Sequence, residues 1–148
     1  MMYARTESAT KAAIEVKAKL SEKCKITNLG PARQFFGIEI HRDENGTGIS
    51  LGQKAFITTI LKRFHIQDAH VLASPMDPNV KLHLADVWGK KELDTESVKH
   101  YQALVGSLMY AALAMRPNIS YAVAALSRFN SLPVTSHLTA ATRVPQYI

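Results

Sequence analysis

Between residues 104 and 126 the chain carries an almost continuous apolar stripe, yet Arg116, Pro117 and Asn118 cut it near the middle. A proline removes a helix hydrogen bond and drives the residue before it out of the helical region, so one long helix is excluded and two shorter ones are required. The same cut excludes a membrane-spanning helix, which needs about 20 unbroken apolar residues. Tyr101, Leu104, Val105, Leu108, Ala112 and Met115 mark the buried face of the first helix, and Ile119, Ala122, Val123 and Leu126 that of the second. Leu132-Pro133 ends the pair. Thr135 or Ser136 can cap a last helix, which Pro145 is expected to end within about three turns.

Upstream, Ala13, Ile14, Lys17, Leu20 and Cys24 recur at helical spacing over residues 10–24, and Gly30-Pro31 breaks the pattern. Residues 33–40 are aromatic and β-branched, and Asp43-Glu44-Asn45-Gly46 carries an Asn-Gly turn signal before Ile49-Ser50-Leu51, which together read as a β-hairpin. In a regular strand Phe35 and Phe36 face opposite sides, so at least one belongs in the core. Residues 53–65 form the clearest amphipathic helix, with Phe56, Ile57, Ile60, Leu61 and Phe64 on one stripe. Residues 67–98 hold Pro75, Pro78, Gly89 and many of the acids, and read as extended chain and loop. The fold class is therefore α+β.

With 47% hydrophobic residues the chain can bury a core, and a lone cysteine, Cys24, excludes an internal disulfide framework and points to a reducing compartment. There is no signal-peptide pattern at the N-terminus, so an intracellular protein, cytoplasmic or nuclear, is expected. The net charge is +6, and after Glu96 there is no carboxylate while Lys99, Arg116, Arg128 and Arg143 remain. That distribution favours a polyanionic partner. Histidines are scattered without metal-ligand spacing, and Asp43 and Glu44 are adjacent turn residues whose side chains diverge, so neither a metal ligand nor a catalytic residue is assigned.

Four segments in fixed order carry a resemblance: LGPARQFFGIEIHRDENGTGISLGQKAFITTILKRF at 29–64, SPMDPNVKL at 74–82, YQALVGSLMYAALAMRPNISYAVAALSRF at 101–129 and HLTAATR at 137–143. They resemble the reverse transcriptase domain of copia-type LTR retrotransposon Pol polyproteins, and within it the C-terminal part. The resemblance implies a partial right-hand polymerase, with a palm-edge remnant at 1–52 holding a primer-grip-like hairpin. A thumb-like helical region at 53–148, with a loop at about 67–98, would follow. Phe36, Gly37 and Ile38 match the primer-grip strand. There Gly37 would admit a close phosphate backbone, or mark a bulge or a packing gap.

Gln53, Lys54, Lys99, Arg116 and Arg128 are the candidates for phosphate contact, as exposed donors or cations. Arg116 has a second reading, capping the carbonyls that end the preceding helix. In the full-length enzyme magnesium is held by aspartates of a Tyr-Val-Asp-Asp type motif, which this chain lacks upstream of its first helix, so no cofactor is expected in this chain. The implied function is that of a reverse transcriptase fragment, inactive alone, with RNA–DNA hybrid or duplex DNA and the missing fingers and palm as partners. The alternatives are a non-catalytic hybrid-binding module and a degenerate remnant. Asn118, Phe36, Leu138 and Pro145 depart from the family pattern, and an interior proline such as Pro145 costs a helix about 3 kcal/mol.

Overall fold

The computed structural model describes residues 7–27, 29–43, 45, 48–80, 82 and 93–148. The chain divides into two compact units, residues 1–32 and 33–148. In the first, helix α1 (Glu7–Lys23) carries an exposed Lys19–Glu15 ion pair one turn apart at 2.7 Å. Its apolar stripe stays in solvent, with Ile14 and Leu20 both exposed.

The second unit opens with a three-stranded antiparallel meander of β1 (Gln34–Phe35), β2 (Ile38–Arg42) and β3 (Ile49–Gly52). The sequence predicts two strands, and the structure makes three because Phe36 and Gly37 form a tight turn. Phe35 pairs with Ile38, and the two residues between them have φ of 49° and 76°. Positive φ at both central positions is the hairpin turn that matches strand twist. The expectation that Phe35 or Phe36 is buried fails for the same reason. The turn lifts both rings outward, 56% and 76% exposed, stacked edge to face at 4.5 Å.

Helix α2 (Lys54–Arg63) follows at once, and Ile57 and Ile60 bury its inner face. It ends in a Schellman motif, where Ile66 N–H reaches Leu61 O at 2.9 Å and His65 N–H reaches Lys62 O at 3.2 Å. Helix α3 (Thr95–Ala114) begins six residues before the stripe that announces it. Asp94, capping Ser97 N–H at 2.8 Å, sets that start inside the stretch expected to be loop. A 3₁₀ turn at Pro117–Ile119 then leads into α4 (Ser120–Ser127), so Arg116-Pro117 divides two helices as expected.

Pro145 does not end the last helix, α5 (Thr135–Tyr147); it lies fully buried inside its final turns. Only one backbone bond is forfeited that close to a terminus, and the ring fills core space instead. At the other end, buried His137 accepts Val134 N–H on Nδ1 at 3.2 Å and stacks on Phe129 at 3.9 Å.

Two ring contacts fix how α2 and α3 pair. Phe56 meets Tyr110 at 4.9 Å and Phe64 meets His100 at 5.1 Å, so the helices run antiparallel. Tyr101 donates to Leu126 O at 2.7 Å and Gln102 to Asn130 O at 2.7 Å, which sets the start of α3 against the end of α4. The core of Leu104, Val105, Leu108, Ile119, Val123 and Leu126 lies among these helices. Among the described residues no helix is long and apolar enough to cross a membrane.

Candidate nucleic-acid interface

The Phe36-Gly37 turn is held from two helices. Tyr110 of α3 donates its hydroxyl to Phe36 O, and Phe56 of α2 packs under Gly37. A Cβ on Gly37 would meet Phe56 at 3.7 Å, an ordinary contact, so neither a packing gap nor a bulge explains the glycine. Its φ of 76° does. A Gly37→Ala variant should therefore lose about 1–2 kcal/mol through backbone strain alone. Urea unfolding of the two proteins checks this, and an unchanged midpoint would mean that the turn relaxes freely.

The N-terminus of α2 is capped from a neighbouring strand. Glu39 of β2 accepts Ala55 N–H on Oε1 at 2.8 Å and meets His41 Nε2 at 3.4 Å. The Ala55 N–H, and more weakly His41 and Lys54, hold the Glu39 carboxyl below its usual range against the opposing effect of burial. An anion is thus already seated where helix dipole and free N–H groups would attract one. Gln53 departs from the expectation of an exposed donor. It is 5% exposed, and neither its amide nitrogen nor its amide oxygen has a partner.

The remaining cations are placed as follows. Lys54, Lys99 and Arg128 are exposed and Arg116 is half-buried, and among the described residues none of the four is ion-paired. The Arg116 side chain makes no hydrogen bond to the end of α3; only its backbone N–H does, to Ala111 O at 2.9 Å. The capping reading of Arg116 therefore has no geometry behind it. Antiparallel packing separates the set into two ends. Lys54 sits at the sheet-proximal end of α2 and Arg116 just past the end of α3 that holds Tyr110, whereas Lys99 and Arg128 lie within three residues of Gln102 and Asn130, which meet at the other end.

Sequence reasoning missed Tyr110 and Glu39. Tyr110 lies inside the apolar stretch of residues 104–126 and has no local signal of its own, while Glu39 is the lone carboxylate in an aromatic and β-branched run, a signal that was available. Among the described residues no three of His, Cys, Asp and Glu converge as metal ligands.

Residues 72–80 and α5 also meet. Leu72 N–H donates to Gln146 O at 3.0 Å and Arg143 Nη2 to Ser74 Oγ at 3.2 Å, bordering an apolar groove of about 510 Å³.

A family model described as reverse transcriptase (RNA-dependent DNA polymerase) matches residues 5–78. The chain is 30% identical over 142 residues to the retrovirus-related Pol polyprotein from transposon TNT 1-94 of Nicotiana tabacum, covering 90% of this chain and 10% of that protein. To the corresponding polyprotein from transposon RE1 of Arabidopsis thaliana it is 36% identical over 129 residues, covering 87% of this chain and 8% of that protein. A transposon Ty5-1 protein of Saccharomyces cerevisiae is 31% identical over 139 residues, which is 90% of this chain and 41% of the relative. No solved structure matches the chain.

Proposed function

Because the chain belongs to the reverse transcriptase (RNA-dependent DNA polymerase) family of retrotransposon Pol polyproteins, we propose that it supplies nucleic-acid grip to a polymerase and not the bond-forming step. The chain spans about a tenth of the length of the tobacco and Arabidopsis polyproteins it matches. In this reading residues 1–52 correspond to the palm edge and residues 53–148 to the thumb. Two magnesium ions would be held by closely placed carboxylates, as phosphoryl transfer requires, and this reading puts those carboxylates elsewhere in the polyprotein.

The observation that carries the reading is the Phe36 turn. A bulky residue kept at φ 49° while 76% exposed gains little from packing beyond its edge contact with Phe35, and its carbonyl is tied to α3 by Tyr110. Strain of this kind is retained where a surface has work to do. Phe36, Gly37 and Ile38 would present the turn to the primer strand, with Lys54 and Arg116 at the same end meeting phosphates. Buried Gln53 acts by supporting the junction of β3 and α2 and does not reach the nucleic acid directly.

Fluorescence anisotropy with a labelled RNA–DNA hybrid, at low and moderate salt, tests the reading. The expected result is affinity that falls steeply with salt and is weakened by about tenfold in a Lys54→Ala, Arg116→Ala, Arg128→Ala variant. A monodisperse sample with no affinity for the hybrid would overturn it.

A further inference from the structure

Residues 72–80 and α5 enclose an apolar groove of about 510 Å³, and we propose that it binds an uncharged, largely apolar small molecule that carries a hydrogen-bond acceptor. Leu72, Met76 and Val80 line one side, and Thr139, Ala140 and Thr142 of α5 the other. The size falls within the roughly 300–1,000 Å³ of pockets that take drug-sized ligands. Among the described residues, neither the Phe36 turn nor any of Lys54, Lys99, Arg116 and Arg128 contributes to this lining, so the groove stands apart from the candidate nucleic-acid interface.

Both walls are set without a ligand. Ser74 Oγ donates to Met76 O at 2.8 Å, Asp77 Oδ1 accepts Asn79 N–H at 2.9 Å and Asp77 O accepts Val80 N–H at 3.1 Å, so the loop is a run of closed turns. Leu72 N–H on Gln146 O and Arg143 Nη2 on Ser74 Oγ clamp that loop to α5 at two places. A groove held in this way has little left to order when a molecule enters it.

The polar atoms of the lining point to the occupant. The hydroxyls of Thr139 and Thr142 donate to Thr135 O and Thr139 O, at 3.0 and 2.9 Å, and are spent on the helix itself. Ser136 Oγ and Arg143 Nε are buried and, among the described residues, have no hydrogen-bond partner. Seven positions apart on α5, the two residues share one face of the helix. Arg143 Nε–H can only donate, and the Ser136 hydroxyl rotates to donate, so an acceptor on the ligand satisfies either one. A buried donor left unmet is costly, and a ligand oxygen removes that cost. Charge argues against an anion. The Asp77 carboxylate lies 4.0 Å from Arg143 Nη1 and offsets its charge, and among the described residues no other charged side chain lines the groove. A peptide would bring an N–H with nearly every carbonyl, whereas the atoms left unmet here are donors and suit a molecule whose polar atoms are acceptors.

Titration of the whole chain with prodan, an uncharged naphthalene whose ketone is an acceptor, tests the assignment, because its emission moves to the blue in an apolar site. The parent should bind the dye saturably, and its melting temperature should rise as dye is added. Ala140→Phe fills the groove and should weaken binding by roughly tenfold or more, because a bound ligand keeps most of its surface inside such a pocket. Ala125→Phe is the control. It fills the neighbouring hollow that Tyr121 and Phe129 line, and it should bind like the parent. Ser136→Ala removes one donor without adding an atom and should weaken binding about fivefold, as the loss of one hydrogen bond does. Should Ala140→Phe fail to fold, Ser136→Ala decides the matter. A folded parent that shows no saturable binding would overturn the proposal, and so would parent-like binding by Ser136→Ala. Weakening by Ala125→Phe in place of Ala140→Phe would put the dye in the other hollow and overturn it as well. Sedimentation showing dimers of the parent and monomers of Ala140→Phe, with no dye bound, would give the groove to a second copy and likewise overturn it.

Discussion

Replacing Leu108 with alanine is expected to lower the unfolding free energy by about 3–5 kcal/mol, a large fraction of the roughly 5–15 kcal/mol that holds a domain folded. Leu108 is 0% exposed and sits midway along α3, the helix against which α2, α4 and α5 all pack. Removing three of its carbons loses transfer energy and opens a cavity that neighbours fixed by several helices cannot close. Leu113, on the same helix and 80% exposed, is the control, and its alanine variant should stay within about 0.5 kcal/mol of the parent. Urea denaturation followed by helical circular dichroism separates the two cases. Coincident midpoints for Leu108→Ala and Leu113→Ala would mean that α3 is not the centre of a packed core.

At high pH the same core should fail through Tyr101. Its hydroxyl is buried against Leu126 O, and burial pushes the phenol from 10.0 up to about 12. The unfolded chain then loses this proton before the folded one does. Stability is intact below pH 10 and falls by about 1.4 kcal/mol per unit as pH rises from 10 toward 12. Tyr101→Phe lacks the titrating group but also loses the hydrogen bond, which costs about 1 kcal/mol. The two proteins should therefore exchange rank, with the parent more stable at neutral pH and the phenylalanine variant more stable near pH 12. Parallel stability curves across that range would remove Tyr101 as the alkaline trigger.

The helical stripes were legible because a 3.6-residue period survives in the sequence whatever the partner. The break at Arg116-Pro117 was legible because proline acts locally. The Phe36-Gly37 turn was not, because aromatic residues advertise strand and only the glycine hinted at a reversal. The start of α3 was hidden for a related reason. Its first turns are mostly polar, so they carry no stripe, and Asp94 stands among other acids that give a cap no distinct mark. Pro145 was read as a stop because an isolated helix would stop there, whereas a buried ring with good packing offsets one lost backbone bond.

The candidate interface was legible in its charges and not in its grouping. Lys54, Lys99, Arg116 and Arg128 could each be named from residue type. Which of them share an end depends on α2 and α3 running antiparallel, and no local pattern encodes the direction in which two helices meet. Gln53 shows the converse. A polar side chain at a helix start reads as exposed, but the strand leading into α2 turns it inward and gives the capping duty to Glu39, 14 positions earlier.

The tie between Tyr110 and Phe36 spans 74 positions of sequence. On a ribosome adding roughly 5–20 residues per second, the meander emerges roughly 4–15 s before the helix that secures it exists. During that interval Ile57 and Ile60 of α2 lack the core they later join, beside a sheet too small to hold itself. The meander and α2 thus wait for α3 before they are fixed, so truncation before Tyr110 should give a product that is held by chaperones or degraded.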